Sequence, residues 1–180
     1  MHPAAISLLP HANPLHHLPL FAMDCSHIQF KYNDTLEPSA LQQLLRLFRL
    51  AAFWAQDRTG DDLATAIAHS HPVVTAWDGM TLIGFARATS DGVYRATIWD
   101  VVIHPNYQGA GLGRRLVETV LGHPHVNRAE RVYLMTTNQQ AFYERIGFES
   151  NTTTTMVLFN QPLDLPRDLS ALEAGQEAHS

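Results

Sequence analysis

Apolar and polar positions follow two different rhythms along the chain, and the changes of rhythm divide it into elements. His27–Tyr32 reads as a short strand. From Pro38, a residue suited to the first turn of a helix, Leu41, Leu44, Leu45, Phe48, Ala51 and Ala52 recur at helical spacing. Thr59-Gly60-Asp61-Asp62 offers capping oxygens and early negative charge for a second helix to about His69, which Pro72 ends. Val73–Trp77 and Thr81–Thr89 read as strands joined at Asp78-Gly79, a strong hairpin signal. A turn at Ser90-Asp91-Gly92 leads to a strand over Tyr94–Ile103, which Pro105 stops because proline cannot donate to the ladder. A glycine-rich loop follows, then a helix from about Gly111 to Leu121, a strand Arg131–Thr136, a helix Asn138–Ile146 and a Thr-rich strand Asn151–Phe159. This order mixes hairpins with one strand–helix–strand crossover and predicts an α/β sheet of mixed direction.

The pattern covers about residues 27–161, and the ends read differently. Residues 1–26 are rich in Pro, His and Ala without a sustained period, which predicts a flexible arm. His2, His11, His16 and His17 match no ordered metal-ligand spacing, so no metal is expected. Residues 162–180 form an acidic tail punctuated by Pro162 and Pro166. With 180 residues, 46% of them apolar, the chain suits a single domain with a substantial core. Its formal net charge is −5, with Lys and Arg scattered, which argues against a nucleic-acid surface. The single cysteine, Cys25, excludes an internal disulfide, and no apolar run approaches the roughly 20 residues of a membrane span. The first basic residue is Lys31, so the start lacks the charged segment of a secretory signal, and a cytoplasmic location is expected.

The chemistry concentrates where the strand ending at Ile103 runs into Gln108-Gly109-Ala110-Gly111-Leu112-Gly113 and then a helix with the apolar face Leu112, Leu116, Val117 and Leu121. At a helix start, backbone N–H groups lack intrahelical partners and the dipole favours negative charge. Glycines let that backbone approach a phosphate closely, and Arg114 and Arg115 add positive charge. No lysine or hydroxyl follows Gly113 as a Walker loop needs, and the glycine spacing differs from the dinucleotide fingerprint. A phosphate or pyrophosphate of another kind is expected.

Gln108–Gly113 resembles the Gln/Arg-x-x-Gly-x-Gly/Ala signature of the GNAT acetyltransferases, and Tyr143-Glu144-Arg145-Ile146-Gly147-Phe148 resembles their Tyr-x-x-x-Gly-Phe helix. The two motifs stand in the family's order, about 30 residues apart, and the likeness covers nearly all of residues 27–161. The stretches Ala86–Asp91 and Ala96–Val101 look like the plastid-type enzymes of plants and their cyanobacterial relatives. That group is associated with acetylation of serotonin and other arylalkylamines, and of protein lysines and N-termini.

The resemblance implies a GNAT fold: a mixed, mostly antiparallel sheet with a splayed central strand and flanking helices. It also implies an enzyme that moves acetyl directly from acetyl-CoA, its cosubstrate, to a primary amine. Gln108, Gly109, Ala110, Gly111, Leu112, Gly113 and Arg114 would hold the pyrophosphate, and the backbone of Val101, Val102 and Ile103 the pantetheine amides. Asn138 would reach the coenzyme or cap the helix before Tyr143. Tyr143 is the candidate to protonate the leaving thiolate. Asp100 is the candidate base, with a structural ion pair as the competing role, and His104 or relayed water as other bases. Phe53, Trp54 and Trp99 could line an aryl-amine pocket or simply fill the core. Three functions stay open: an arylalkylamine acetyltransferase, a protein acetyltransferase, and a non-catalytic acyl-CoA sensor. A β-rich C-terminal region could support a homodimer.

Overall fold

The structure, a computed structural model, describes residues 24–153 and 155–158. The expected flexible arm, save Asp24–Ser26, and the acidic tail lie outside these residues. Five strands form one sheet in the order β1 (Gln29–Asn33), β2 (Val73–Asp78), β3 (Thr81–Ser90), β4 (Arg95–Ile103) and β5 (Arg131–Tyr133). The first four are antiparallel to their neighbours, and β5 runs parallel to β4. Helix α1 (Pro38–Ala51) and helix α2 (Gly60–Ala68) connect β1 to β2, whereas α3 (Leu112–Gly122) and the short α4 (Pro124–Asn127) form the crossover from β4 to β5. Helix α5 (Gln140–Glu144) follows β5.

The elements end where their residues dictate. Pro38 opens α1, and its buried stripe is Ala40, Leu44, Leu47 and Phe48. Thr59 caps α2, its hydroxyl accepting from the Asp62 N–H at 3.2 Å, with Asp61 and Asp62 in the first turn. Asp78 pairs with Thr81, so the hairpin loop is Gly79-Met80, and Gly79 takes the positive φ of 54°. At the next turn, Asp91 Oδ1 accepts from the N–H groups of Val93, Tyr94 and Arg95.

Two apolar layers clamp the sheet. On one face Leu112, Leu116, Val117 and Val120 of α3 pack on Val74, Ala76, Ile83, Ala86, Ala88 and Ile98. On the other, Leu44, Leu47 and Phe48 of α1 and Leu63 and Ile67 of α2 pack on Val73, Leu82, Phe85 and Val102.

Three expectations need correction. No strand forms within Asn151–Phe159 among its described residues, where Met156, Val157 and Leu158 are exposed. The Thr-rich run carries β-prone residues but no neighbouring strand pairs with it, and strand propensity without pairing does not fix a strand. The expected strand Arg131–Thr136 is three residues long, and the expected helix Asn138–Ile146 is Gln140–Glu144. Helix α4 was not foreseen; Pro124 at its first turn and His123, whose Nδ1 accepts from the His125 N–H, start it.

Candidate active site

The site grows out of an irregularity in β4. Trp99 pairs with Arg87 and Val102 with Phe85, so three steps along β4 match two along β3. The extra residue is a bulge, and Asp100 in it has φ 56°, the one positive φ outside glycine among the described residues. In a regular strand Ile98, Asp100 and Val102 would share a face. Here Ile98 packs on the α3 side, while Val102 packs on the α1 side. On its other edge β4 pairs with β5 over Arg95–Thr97 alone, so the strand splays beyond Thr97. Among the described residues no strand pairs with this edge of β4 over Ile98–Ile103, the stretch that holds the expected pantetheine contacts Val101, Val102 and Ile103.

The bulge turns Asp100 onto two guanidiniums. Arg58 Nη2 donates to Oδ1 at 2.8 Å, with its Nη1 2.8 Å from Oδ2. Arg87 Nε donates to Oδ2 at 2.6 Å, and Arg87 Nη1 donates to Ser70 Oγ at 2.9 Å. The Asp100 side chain is 4% exposed and that of Arg87 15%. Burial pushes the Asp100 carboxyl up, but the bond from Arg58 and the charge of Arg87 outweigh it, and the net shift is downward. A carboxylate so held is a poor proton acceptor. The geometry found is therefore the ion pair, the role weighed against general base in the sequence. Arg58 and Arg87 were missed there. A lone cation in apolar β3 opposite a lone anion in β4 was the signal available.

His104 follows β4 as the cap of a 3-10 turn, Pro105–Tyr107, its Nδ1 accepting from the Asn106 N–H at 3.2 Å. Its Nε2 has no hydrogen-bond partner among the described residues. Trp99 Nε1 donates to Thr89 Oγ1 at 2.9 Å, which ties that ring to the sheet. Phe53 and Trp54, in contrast, stand out at the end of α1, 73% and 51% exposed, with ring centroids 5.1 Å apart.

The loop after the 3-10 turn has the shape its glycines were expected to allow. Gly109 and Gly111 both have φ 80°, and a Cβ at either would meet nothing within 4 Å. Their glycine identity thus serves the backbone conformation and the open space above it, not packing. Among the described residues, the N–H groups of Gly109 through Arg114 have no acceptor in the protein. Gln108 ties the loop back, its Nε2 donating to the Ile103 carbonyl at 3.0 Å. The first turn of α3 holds Arg114 and no acidic residue, against the preference of the helix dipole. Unaccepted N–H groups, a helix N-terminus and misplaced cations together fit a pyrophosphate.

Helix α5 brings the second motif to the first. A Cβ on Gly113 would lie 3.4 Å from Phe142 Cζ, so the absence of a side chain there lets α5 seat against the start of α3. Tyr143 packs beside Phe142 and Phe148, at 4.8 and 5.9 Å between centroids. It lines a cavity of about 250 Å³ with Leu134, Met135, Gln140 and Glu144. Burial raises the pKa of its hydroxyl, which keeps the proton on at neutral pH. Asn138 is exposed and does not cap α5. The capping position is Gln139, whose N–H donates to Thr136 Oγ1 at 3.2 Å.

Comparison with known proteins agrees with this geometry. The family model "Acetyltransferase (GNAT) family" matches residues 41–148. The chain belongs to the GNAT acetyltransferase family. Among curated relatives, "GCN5-related N-acetyltransferase 2, chloroplastic" of Arabidopsis thaliana is 42% identical over 82 residues, covering 45% of this chain and 32% of the relative. "Histone acetyltransferase TAP1" of Glycine max is 40% identical over 82 residues, 45% of this chain and 36% of the relative. The chain thus spans about a third of the length of either. A GNAT-family acetyltransferase structure from Streptococcus pneumoniae TIGR4 superposes with a TM-score of 0.62 at 28% identity, over 74% of this chain and 98% of that one. The five-stranded mixed sheet with a splayed β4 is the GNAT fold, as the resemblance implied. Among the described residues, no group of three His, Cys, Asp or Glu could hold a metal ion, and no helix is long and apolar enough to cross a membrane.

Proposed function

We propose that the protein is an acetyl-CoA-dependent N-acetyltransferase acting on a primary amine, with an arylalkylamine such as serotonin or tryptamine as the acceptor. The observation that carries the reading is the row of unaccepted N–H groups at Gly109–Arg114 beside the open backbone edge of β4. Acetyl-CoA supplies the activated acetyl thioester. The loop N–H groups bind its pyrophosphate, and the Val101–Ile103 backbone orients its pantetheine amides. An amine nitrogen then forms a bond to the acetyl carbon as the carbon–sulfur bond breaks. Tyr143, its proton retained by burial, gives that proton to the departing sulfur. The ammonium proton leaves to water or to His104 Nε2, because Asp100 is held by its two arginines. The exposed pair Phe53–Trp54 supports an aromatic acceptor, since such rings offer apolar area for an indole to stack on.

A protein amine is the second reading, supported by the soybean relative's name. As the sole cysteine, Cys25 suits a reducing compartment, and the cytoplasm remains our expectation. The deciding experiment measures free CoA thiol released with serotonin, tryptamine, polyamines and a lysine peptide. Turnover on an arylalkylamine supports the first reading, and turnover on the peptide alone replaces it with the second. Acetyl-CoA binding without turnover on any acceptor points instead to a sensor. With an active acceptor, Tyr143→Phe is expected to lower kcat by 10²-fold or more, the usual scale of a lost proton donor, roughly stated. An unchanged kcat removes Tyr143 from the mechanism.

A further inference from the structure

The loop that binds pyrophosphate in the reading above has two positive-φ glycines and no packing of its own at either. A glycine loop of this kind is entropically expensive to fix. Binding is tighter when the fixing is already done before the ligand arrives. Besides the tie from Gln108 to the Ile103 carbonyl, two further contacts outside the motif fix its flanks.

At the near end, Tyr107 immediately precedes Gln108, and its hydroxyl donates to Asp78 Oδ2 at 2.6 Å. Asp78 closes the two-residue hairpin between β2 and β3, a rigid anchor. Its other oxygen, Oδ1, lies 3.2 Å from His27 Nε2 in the segment leading to β1. The bond to Asp78 holds the Tyr107 proton in place and raises the phenol's pKa. At the far end, Arg115 turns away from the loop toward that same leading segment. Its guanidinium lies 4.8 Å over the Phe30 ring, and Nη1 donates to the Cys25 carbonyl at 3.4 Å. Both flanks of the loop are thus tied to residues Cys25–Phe30, one through Asp78 and one directly.

We propose that this arrangement is a brace for the pyrophosphate loop, in which Tyr107 and Asp78 are positioning residues that set acetyl-CoA affinity without touching the coenzyme. The proposal rests on the reading that Gly109–Arg114 binds acetyl-CoA. It predicts an effect on affinity from a hydrogen bond in a segment that carries no part of either family motif.

The test is a calorimetric titration of the full chain with acetyl-CoA, alongside thermal melts without ligand. Tyr107→Phe removes one hydroxyl and is expected to raise Kd roughly fivefold, the scale of one net hydrogen bond. Asp78→Ala should do the same, and Tyr107→Phe with Asp78→Ala should be no worse than the stronger single change, since the two share one bond. Asp78→Asn should keep most of the affinity, because its amide oxygen still accepts from Tyr107. The conservative rescue, with a melting temperature close to wild type in Tyr107→Phe, separates positioning from general loosening of the fold. Wild-type affinity in Tyr107→Phe, or additive losses in the double variant, overturns the brace. Gly111→Glu is the control. If wild type binds acetyl-CoA, Gly111→Glu does not and Tyr107→Phe matches wild type, the brace falls and the loop stands. If wild type binds no acetyl-CoA, both fall.

Discussion

Strand β4 delivers two charged regions of opposite design. Beyond its end, the loop Gly109–Gly113 presents backbone N–H groups that nothing among the described residues accepts, with cations in the first turn of α3 that the helix dipole disfavours. In its middle, Asp100 is saturated: two guanidiniums meet one carboxylate and Ser70 accepts from one of them. An unsatisfied region is completed by a ligand, and a satisfied one holds the fold. The difference separates binding from structure more sharply than residue type does, since an acid in an apolar strand looks catalytic until its partners are seen.

The largest expected effect breaks the first region. Gly111→Glu puts a side chain at φ 80°, with a strain of about 1–2 kcal/mol, and aims a carboxylate into the space above the loop. Calorimetry should detect no acetyl-CoA binding while circular dichroism stays native. Gly111→Ala pays similar strain without the charge and should bind, more weakly than wild type. Wild-type binding by Gly111→Glu would end the assignment of the loop to pyrophosphate.

Asp100→Asn breaks the second region. Asparagine tolerates the left-handed backbone, so the change isolates the charge. It leaves Arg87, largely buried, without its counter-ion, and urea denaturation should show a loss of about 3 kcal/mol. Arg58 is twice as exposed, 30% against 15%, and contributes less. The folded-state pKa of Asp100 lies below the ordinary 3.8, so its contribution is complete above that value and disappears as pH falls through the lowered one. The stability gap between wild type and Asp100→Asn should therefore close on acidification. A gap that persists unchanged well below pH 3.8 would mean that the charge is not what stabilises this part of the sheet.

The two regions also differed in how readily sequence disclosed them. Backbone chemistry is local: Gln108–Gly113 carries its conformational demand in consecutive residues, and the strand before and helix after it followed from periodicity. The Asp100 cluster joins residues 58, 70, 87 and 100, of which 87 and 100 meet through the register of β3 on β4 and 58 and 70 flank the two ends of α2. A one-residue bulge decides which face Asp100 takes. No period in the sequence marks that bulge. The C-terminal end failed for another reason. Thr152–Thr155 has strand-prone residues but no alternating apolar face, and nothing in its own sequence says whether a neighbour will pair with it.

The smallest predicted effect sharpens the comparison inside the loop region. Arg114 was expected to hold pyrophosphate, yet its Nε donates to Glu118 Oε1 at 2.7 Å, one turn along α3. Both side chains are about half exposed, and such a pair contributes a few tenths of a kcal/mol in isolated helices. If the backbone does the binding, Arg114→Ala should weaken acetyl-CoA by no more than roughly threefold, the scale of one screened surface charge. Glu118→Ala should then leave affinity near wild type. The opposite outcome is equally specific: a tenfold loss in Arg114→Ala together with tighter binding in Glu118→Ala would mean that Glu118 competes with the phosphate for the guanidinium. Arg114 would then join the ligand-completed region, and the cation at the wrong end of the helix dipole would have its physical reason.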